Sequence, residues 1–319
     1  MKRALICGVS GQDGAYIAKY LLEKGYEVFG GSRDAQMSSF TNLKLLKIFN
    51  EIRLISININ DFRSTLQTII KIKPDEIYNL AGQSSVGLSF EQPVETLESI
   101  SIGTLNILES IRFSNLPIKF YNAGSSECFG DTGRLAANEN TLFQPKSPYA
   151  VAKSTAFWLV NNYREAYNLH ASTGILFNHE SPLRPERFVT KKIVSTACLC
   201  LNNKNLKLNL GNLNISRDWG WAPEYVEAMW MMLQRSSGDD FVIATGESNT
   251  LLDFVSFTFE TLNLCWQDFV SLDENLMRPN ELMYGLGDPL KAYNKLGWKA
   301  NFKMKDVVEK MIEHELNNI

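Results

Sequence analysis

The N-terminal segment RALICGVSGQDGAYIAKYLLEKGYEV restricts the fold more than any other stretch of the chain. The apolar run Ala4 to Cys7 leads into glycines at Gly8, Gly11 and Gly14, and Ala15 to Leu22 then repeats apolar residues at helical spacing. A buried strand, a tight turn and a helix satisfy all three features. Glycine permits the turn, lets backbone approach a pyrophosphate closely, and lets the helix pack on the strand. The helix N-terminus then faces the phosphates. Gly8, Ser10, Gly11, Gln12, Asp13 and Gly14 are the candidate phosphate-side residues.

Strand-like runs recur at residues 27–30, 52–59, 76–80, 119–124 and 174–178, separated by helical patterns that include a long helix from Pro93 to Arg112. This alternation predicts an α/β fold, a Rossmann-type doubly wound parallel sheet. A NAD-selective protein usually ends its second strand with an acid for the ribose hydroxyls. Here the sequence is GGSRDAQ. Arg33 suits a 2′-phosphate and favours NADP, while the adjacent Asp34 keeps NAD open. Asp61, followed by Phe62, is positioned either to reach the adenine amino group or to cap the next helix. Leu80, Ala81, Gly82 and Ser84 close the fourth strand, where small residues let backbone lie against a cofactor. The expected division is a cofactor domain over 1–180 and a smaller α/β substrate domain over 181–319, with some chain crossing back near 212–250.

Tyr121 to Lys153 carries the candidate chemistry. The fifth strand runs into Ser125, Ser126 and Glu127, and Tyr149 precedes Lys153 by one helical turn. A lysine ammonium there is expected to lower the phenol's pKa and make tyrosinate available near neutral pH. A serine hydroxyl can share the proton of a substrate alcohol. Together these residues suit hydride transfer from a secondary alcohol. YxxxK alone recurs by accident on amphipathic helices, so its weight comes from the nucleotide-binding start of the chain.

A net charge of −3 offers no case for nucleic acid or an anionic membrane. The N-terminal apolar run is too short for a signal peptide, and no segment approaches a membrane span. The five cysteines are read as reduced core thiols, and the three scattered histidines suggest no metal site. A cytoplasmic protein is expected. Trp219, Trp221, Trp230, Met229, Met231 and Met232 read as packing residues of an amphipathic helical region, and Met304 to Asn317 as a solvated helical cap.

The GxxGxxG spacing points to the extended short-chain dehydrogenases. Beyond it, SSFTN, PDEIYNLAGQSSVGLSFEQP, GSSECFG, SPYAVAK, GILFNHESP, RFVTKKI, RDWGWAPEYVEAMWMMLQ, RPNE and LGDPLKAYNKLGWK span nearly the whole chain. In these segments the chain resembles the GDP-mannose 4,6-dehydratase family, a nucleotide-sugar branch of that superfamily. The resemblance implies oxidation of a GDP-hexose at C4 with hydride going to NADP, removal of the C5 proton, loss of the C6 hydroxyl as water, and return of hydride to C6. It makes Tyr149 the C4-hydroxyl base tuned by Lys153, Ser125 its hydrogen-bonding neighbour, and Glu127 the C5 base. Once C4 is a ketone the C5 proton is acidic enough for a carboxylate to remove. An epimerase or 4-keto-reductase, the rival readings on the same fold, needs no base there. A silent nucleotide-binding protein would not need the set.

The resemblance further implies that Asn178 contacts the substrate diphosphate, that His179 and Arg184 lie on the cofactor side, and that Lys192, Arg217 and Arg278 contact base, phosphate and ribose. Ser85 stands where the family tends to have histidine, and Leu183, Pro185 and Arg187 alter the loop after NHESP. These departures flank the expected sugar pocket and leave open a GDP-linked relative of mannose, such as a heptose or an acetamido sugar. SSFTN belongs to a loop that in the family reaches a neighbouring subunit, which implies a homotetramer or homodimer.

Overall fold

The protein is described here by a computed structural model covering residues 1–277 and 279–318. Along the first half, strands and helices alternate: β1 (Arg3–Cys7), α1 (Gln12–Glu23), β2 (Glu27–Ser32), α2 (Thr41–Leu45), β3 (Arg53–Ser56), α3 (Phe62–Ile72) and β4 (Glu76–Asn79). Then come α4 (Val86–Glu91), α5 (Pro93–Leu97), α6 (Gly103–Ser114), β5 (Lys119–Ala123), α7 (Pro148–Tyr167), β6 (Ala171–Leu176) and β7 (Asn178–Glu180). The second half holds α8 (Val189–Cys200), β8 (Leu208–Leu210), β9 (Ser216–Arg217), β10 (Trp219–Trp221), α9 (Ala222–Gln234) and β11 (Phe241–Ile243). It ends with β12 (Asn249–Thr250), α10 (Leu251–Thr261), β13 (Val270–Leu272), α11 (Leu290–Leu296) and α12 (Met304–Leu316).

Among the described residues, seven strands form one parallel sheet in the order β11-β6-β5-β4-β1-β2-β3. The order reverses between β1 and β4, and a crevice opens there at the carboxyl ends of the strands. Strand alternation sends β1 side chains to two cores. Ala4 and Ile6 pack in the cluster that includes Ile17, Met229 and Met232. Leu5 and Cys7 pack with Ile69, Ile107 and Val160 on the other face. A further core joins α8, α10 and α12 through residues such as Val194, Phe254 and Met311.

Gly8 and Gly14 make the first turn possible. Gly8 has φ +87, and a Cβ there would lie 2.8 Å from the Leu80 carbonyl. A Cβ on Gly14 would lie 2.2 Å from the Gly8 oxygen. Helix α7 starts where it does because Ser147 accepts from the Ala150 N–H at 3.1 Å and Pro148 fills the first helical turn.

Several expectations change. The helix expected over Pro93–Arg112 is α5 and α6 joined by a π-helical turn at Glu98–Ile102. The third strand is shorter than expected, and the sixth breaks at Phe177 before resuming as β7. Trp219 and Trp221 lie in β10, paired with β7, rather than in a helix. Helix α12 is not a solvated cap: Met304, Val307, Val308, Met311 and Ile312 form a buried stripe. Its charged residues occupy the remaining face, which is why the stripe reads as surface at first sight. Cys265 is exposed, while Cys7, Cys128, Cys198 and Cys200 are buried as expected. Helix α9 packs on α1, and β11 joins the main sheet beside β6.

Candidate active site

A cleft of about 400 Å³ lies over the carboxyl ends of the sheet. Strand β4 delivers Leu80, Ala81, Gly82, Ser84 and Ser85 to it, and β5 delivers Ser125 and Glu127. Helix α7 adds Tyr149 and Lys153, the chain after β6 adds Asn178, His179 and Arg184, and the second half adds Lys192 and Arg217. Residues more than ninety positions apart in the chain thus face one space.

The catalytic candidates sit at its inner wall. Ser125 and Tyr149 are buried, and their side chains hydrogen-bond. The Ser125 oxygen also accepts the Glu127 N–H at 3.3 Å, which holds the short turn that presents the Glu127 carboxylate. Lys153 donates to the Ala123 carbonyl at 2.7 Å, and its ammonium lies 5.7 Å from the Tyr149 ring centre. Burial pushes the Tyr149 phenol well above its ordinary value, and the Ser125 hydrogen bond offsets part of that rise. Burial lowers Lys153 to about 8, against the opposing influence of Cys128 and Asp13. The expected depression of the phenol is therefore not the balance in the protein alone; desolvation outweighs the Ser125 hydrogen bond and the Arg184 charge that oppose it.

The glycine turn is wired into the same wall. Asp13 borders the cleft, while Gly8, Ser10, Gly11, Gln12 and Gly14 form the turn that leads to it. Asp13 accepts from the His179 ring at 2.9 Å. Burial raises the Asp13 carboxyl, but His179 and then Arg184 reverse this and hold it well below the usual carboxylate range. Gln12 is buried, donates to Asp13 and to the His179 carbonyl, and accepts from the Ser181 hydroxyl at 2.8 Å. The other His179 ring nitrogen faces the Phe177 carbonyl at 2.7 Å, and the ring stacks on Tyr225.

Three candidates lie away from the cleft. Asp61 caps α3, accepting the Arg63 N–H at 3.0 Å. Phe62 packs edge-on against Phe113. Arg33 projects into solvent at the end of β2, with Glu95 at 3.6 Å. Arg278 lies outside the described residues. Arg217 pairs with Glu281 at 3.7 Å, and Lys192 donates to the Asn209 carbonyl at 2.8 Å. The sequence reading missed Gln83, Glu180, Thr190 and Asn209, all of which line the cleft. Glu180 stood inside a segment already singled out, NHESP, but nothing in the sequence shows that it points inward.

A parallel doubly wound sheet with a glycine turn under a helix N-terminus and a crevice holding Ser125, Tyr149 and Lys153 places the chain in the Rossmann-type α/β class. The fold alone goes no further. A UDP-glucose 4-epimerase of Thermotoga maritima superposes with TM-score 0.88 at 19% identity over 99% of both chains. A dTDP-glucose 4,6-dehydratase of Streptomyces venezuelae superposes with TM-score 0.87 at 19% identity over 99% of this chain and 97% of that one. Sequence decides between them. The family described as GDP-mannose 4,6 dehydratase matches residues 5–311. GDP-mannose 4,6 dehydratase 1 of Arabidopsis thaliana is 44% identical over 99% of this chain and 90% of its own length. The chain belongs to the GDP-mannose 4,6-dehydratase family.

Proposed function

We propose that this chain is a GDP-mannose 4,6-dehydratase, a lyase that converts a GDP-hexose to its 4-keto-6-deoxy form with no net consumption of cofactor. The observation that carries the reading is a carboxylate, Glu127, held in one cleft with Ser125, Tyr149 and Lys153. An epimerase or reductase has no work for that carboxylate. The glycine turn, closed against any Cβ at Gly8 and Gly14, fits a dinucleotide's phosphates. A bound nicotinamide supplies a hydride acceptor for C4 and a donor for C6.

The chain's own groups do the rest. Tyr149 takes the C4-hydroxyl proton, and Ser125 shares that proton and orients the oxygen. Lys153, fixed by the Ala123 carbonyl, adds positive charge that stabilises the tyrosinate as it forms. Glu127 removes the C5 proton once C4 is a carbonyl and gives it to the C6 hydroxyl, which leaves as water; when C6 is reduced, the proton held by Tyr149 returns to C5. Asn178, Lys192, Arg217 and Arg278 bind the GDP portion in this reading, because guanidinium and ammonium groups suit phosphate and base oxygens. Residues 1–180 mainly hold the cofactor and 181–319 mainly the nucleotide sugar, with chain near 212–250 crossing back to the cofactor domain.

NADP is the cofactor we infer. Asp34 is committed to its own loop, accepting the Gln36 and Met37 N–H groups at 2.9 and 3.0 Å. Arg33 is left with an 82% exposed side chain and a long contact to an exposed glutamate. Arg33→Ala is expected to weaken NADP about tenfold while changing NAD little, read by cofactor titration. A homodimer or homotetramer is the proposed assembly, to be read by sedimentation. In this chain SSFTN folds onto its own glycine turn, with Asn42 donating to the Ser10 carbonyl at 3.0 Å.

The deciding test is incubation of the purified protein with GDP-mannose, with GDP-manno-heptose and GDP-GlcNAc in parallel, and mass spectrometry of the products. Loss of one water without added reduced cofactor supports the dehydratase and identifies its sugar. An isomer of unchanged mass, or dependence on added NADPH, overturns it.

A further inference from the structure

We infer that Glu180 is a positioning residue that ties the cofactor turn to the substrate loop, so that dinucleotide and GDP are bound as a coupled pair. The inference rests on the proposed function for the identity of the two ligands.

Residues 181–188 carry no regular secondary structure, yet they supply Arg184, Arg187 and Phe188 to the cleft. What shapes this loop is a buried polar chain that starts in the glycine turn. Asp13 binds the His179 ring, and Arg184 lies close enough to Asp13 to stabilise its carboxylate. The same guanidinium donates to the His179 carbonyl and, through Nε, to the Glu180 carboxylate at 2.7 Å. That carboxylate oxygen also accepts the Thr190 hydroxyl at 2.8 Å. Thr190 stands at the start of α8, two residues before the base-side candidate Lys192. Glu180 is only 3% exposed.

Arg184 therefore joins two carboxylates: it binds Glu180 at the end of β7 directly, and it reaches Asp13 of the cofactor turn through His179, whose carbonyl it binds and whose ring binds Asp13. In a low-dielectric interior each contact of such a chain strengthens with its neighbours, and each is costly to leave unmade. A ligand phosphate arriving beside Asp13 changes the charge that Arg184 must balance. The arginine is thereby biased toward one placement of the loop, the placement in which Thr190 and α8 are held by Glu180. By linkage, whatever one ligand does to the other's affinity is returned in equal measure.

The probe is GDP, titrated calorimetrically into enzyme stripped of cofactor and into the same enzyme saturated with NADP. The wild type is expected to bind GDP about fivefold or more tightly when loaded, within the usual range of coupling between sites. Glu180→Gln and Thr190→Val are expected to bring that ratio below about twofold, and Thr190→Ser to restore it. A ratio near one in the wild type overturns the inference. So does an unchanged ratio in both variants, even with a lowered melting temperature, because that is the signature of a structural role alone. If Glu180→Gln fails to fold, Thr190→Val carries the test, and the wild-type ratio stands independently of both. Turnover of GDP-mannose by the wild type is measured alongside. Its absence, with coupling intact, counts against the proposed reaction and not against the positioning role.

Discussion

At Tyr149, burial and hydrogen bonding act in opposite directions, and burial wins. A phenol this well desolvated is a poor base until positive charge or a substrate oxygen is brought against it. Removing the hydroxyl should therefore leave no substitute. Tyr149→Phe is expected to lower turnover at least about 10³-fold, a loss typical of a missing general base. Bound cofactor should no longer be reduced on mixing with GDP-mannose; normal reduction would sink the assignment. Glu127 is read by a different step. Glu127→Gln keeps the size and the turn made by Ser125, yet has no basic oxygen. Product formation is expected to fall about 10²–10⁴-fold, while reduction of the bound cofactor on mixing persists. Undiminished keto-deoxy product, or undiminished deuterium exchange at C5, would refute the role.

At the scale of elements, strand–turn–helix units place the site, and the glycine turn is the most exacting of them. A methyl group on Gly14 would meet the Gly8 oxygen at 2.2 Å, a backbone atom that cannot swing aside. Gly14→Ala is expected to destabilise the fold by about 2 kcal/mol or more through overpacking, seen as a lower denaturation midpoint. The purified variant should also carry less NADP, because α1 would be pushed off β1. An unchanged midpoint together with full cofactor content would contradict the geometry. Helix α12 teaches a related lesson about elements. Its apolar residues recur at positions 304, 307, 308, 311 and 312. The sequence shows that one face is apolar, but only packing against α8 and α10 shows that this face closes a core.

For the molecule as a whole, His170 links the sheet to acid stability. It precedes β6 and has a buried ring nitrogen without a hydrogen-bond partner among the described residues. Burial, with a smaller push from nearby Lys119 and against the pull of Glu76, lowers its pKa from 6.5 to about 4. The folded protein thus resists protonating His170, and the unfolded chain does not. Its contribution to stability is fully present above pH 6.5 and is lost as the pH falls through about 4. His170→Gln is expected to flatten the decline of the urea midpoint between those values, with little change at pH 8. An identical slope in the variant would remove His170 from the explanation.

How far the sequence reached follows from what kind of information each feature needs. The glycine turn, the strand–helix alternation and the YxxxK spacing are local patterns, set by backbone sterics and helical geometry over a few residues. They were legible, and with them the parallel sheet, the turn at its crevice and the placing of Tyr149 and Lys153 in one cleft. The family match over residues 5–311 agrees with the resemblance those segments carry. What no window of sequence contains is the energy of contacts between distant residues. The π-helical turn inside the expected long helix, the placement of Trp219 in a strand and the inward face of α12 depend on neighbours far along the chain. The same holds for the chemistry of the site. Spacing put a lysine one turn from a tyrosine, but only the folded environment decided that desolvation would hold the phenol's pKa up. NHESP drew notice for its histidine, yet only the tertiary structure turned Glu180 inward, between an arginine and a threonine, because a carboxylate excluded from water must find such partners.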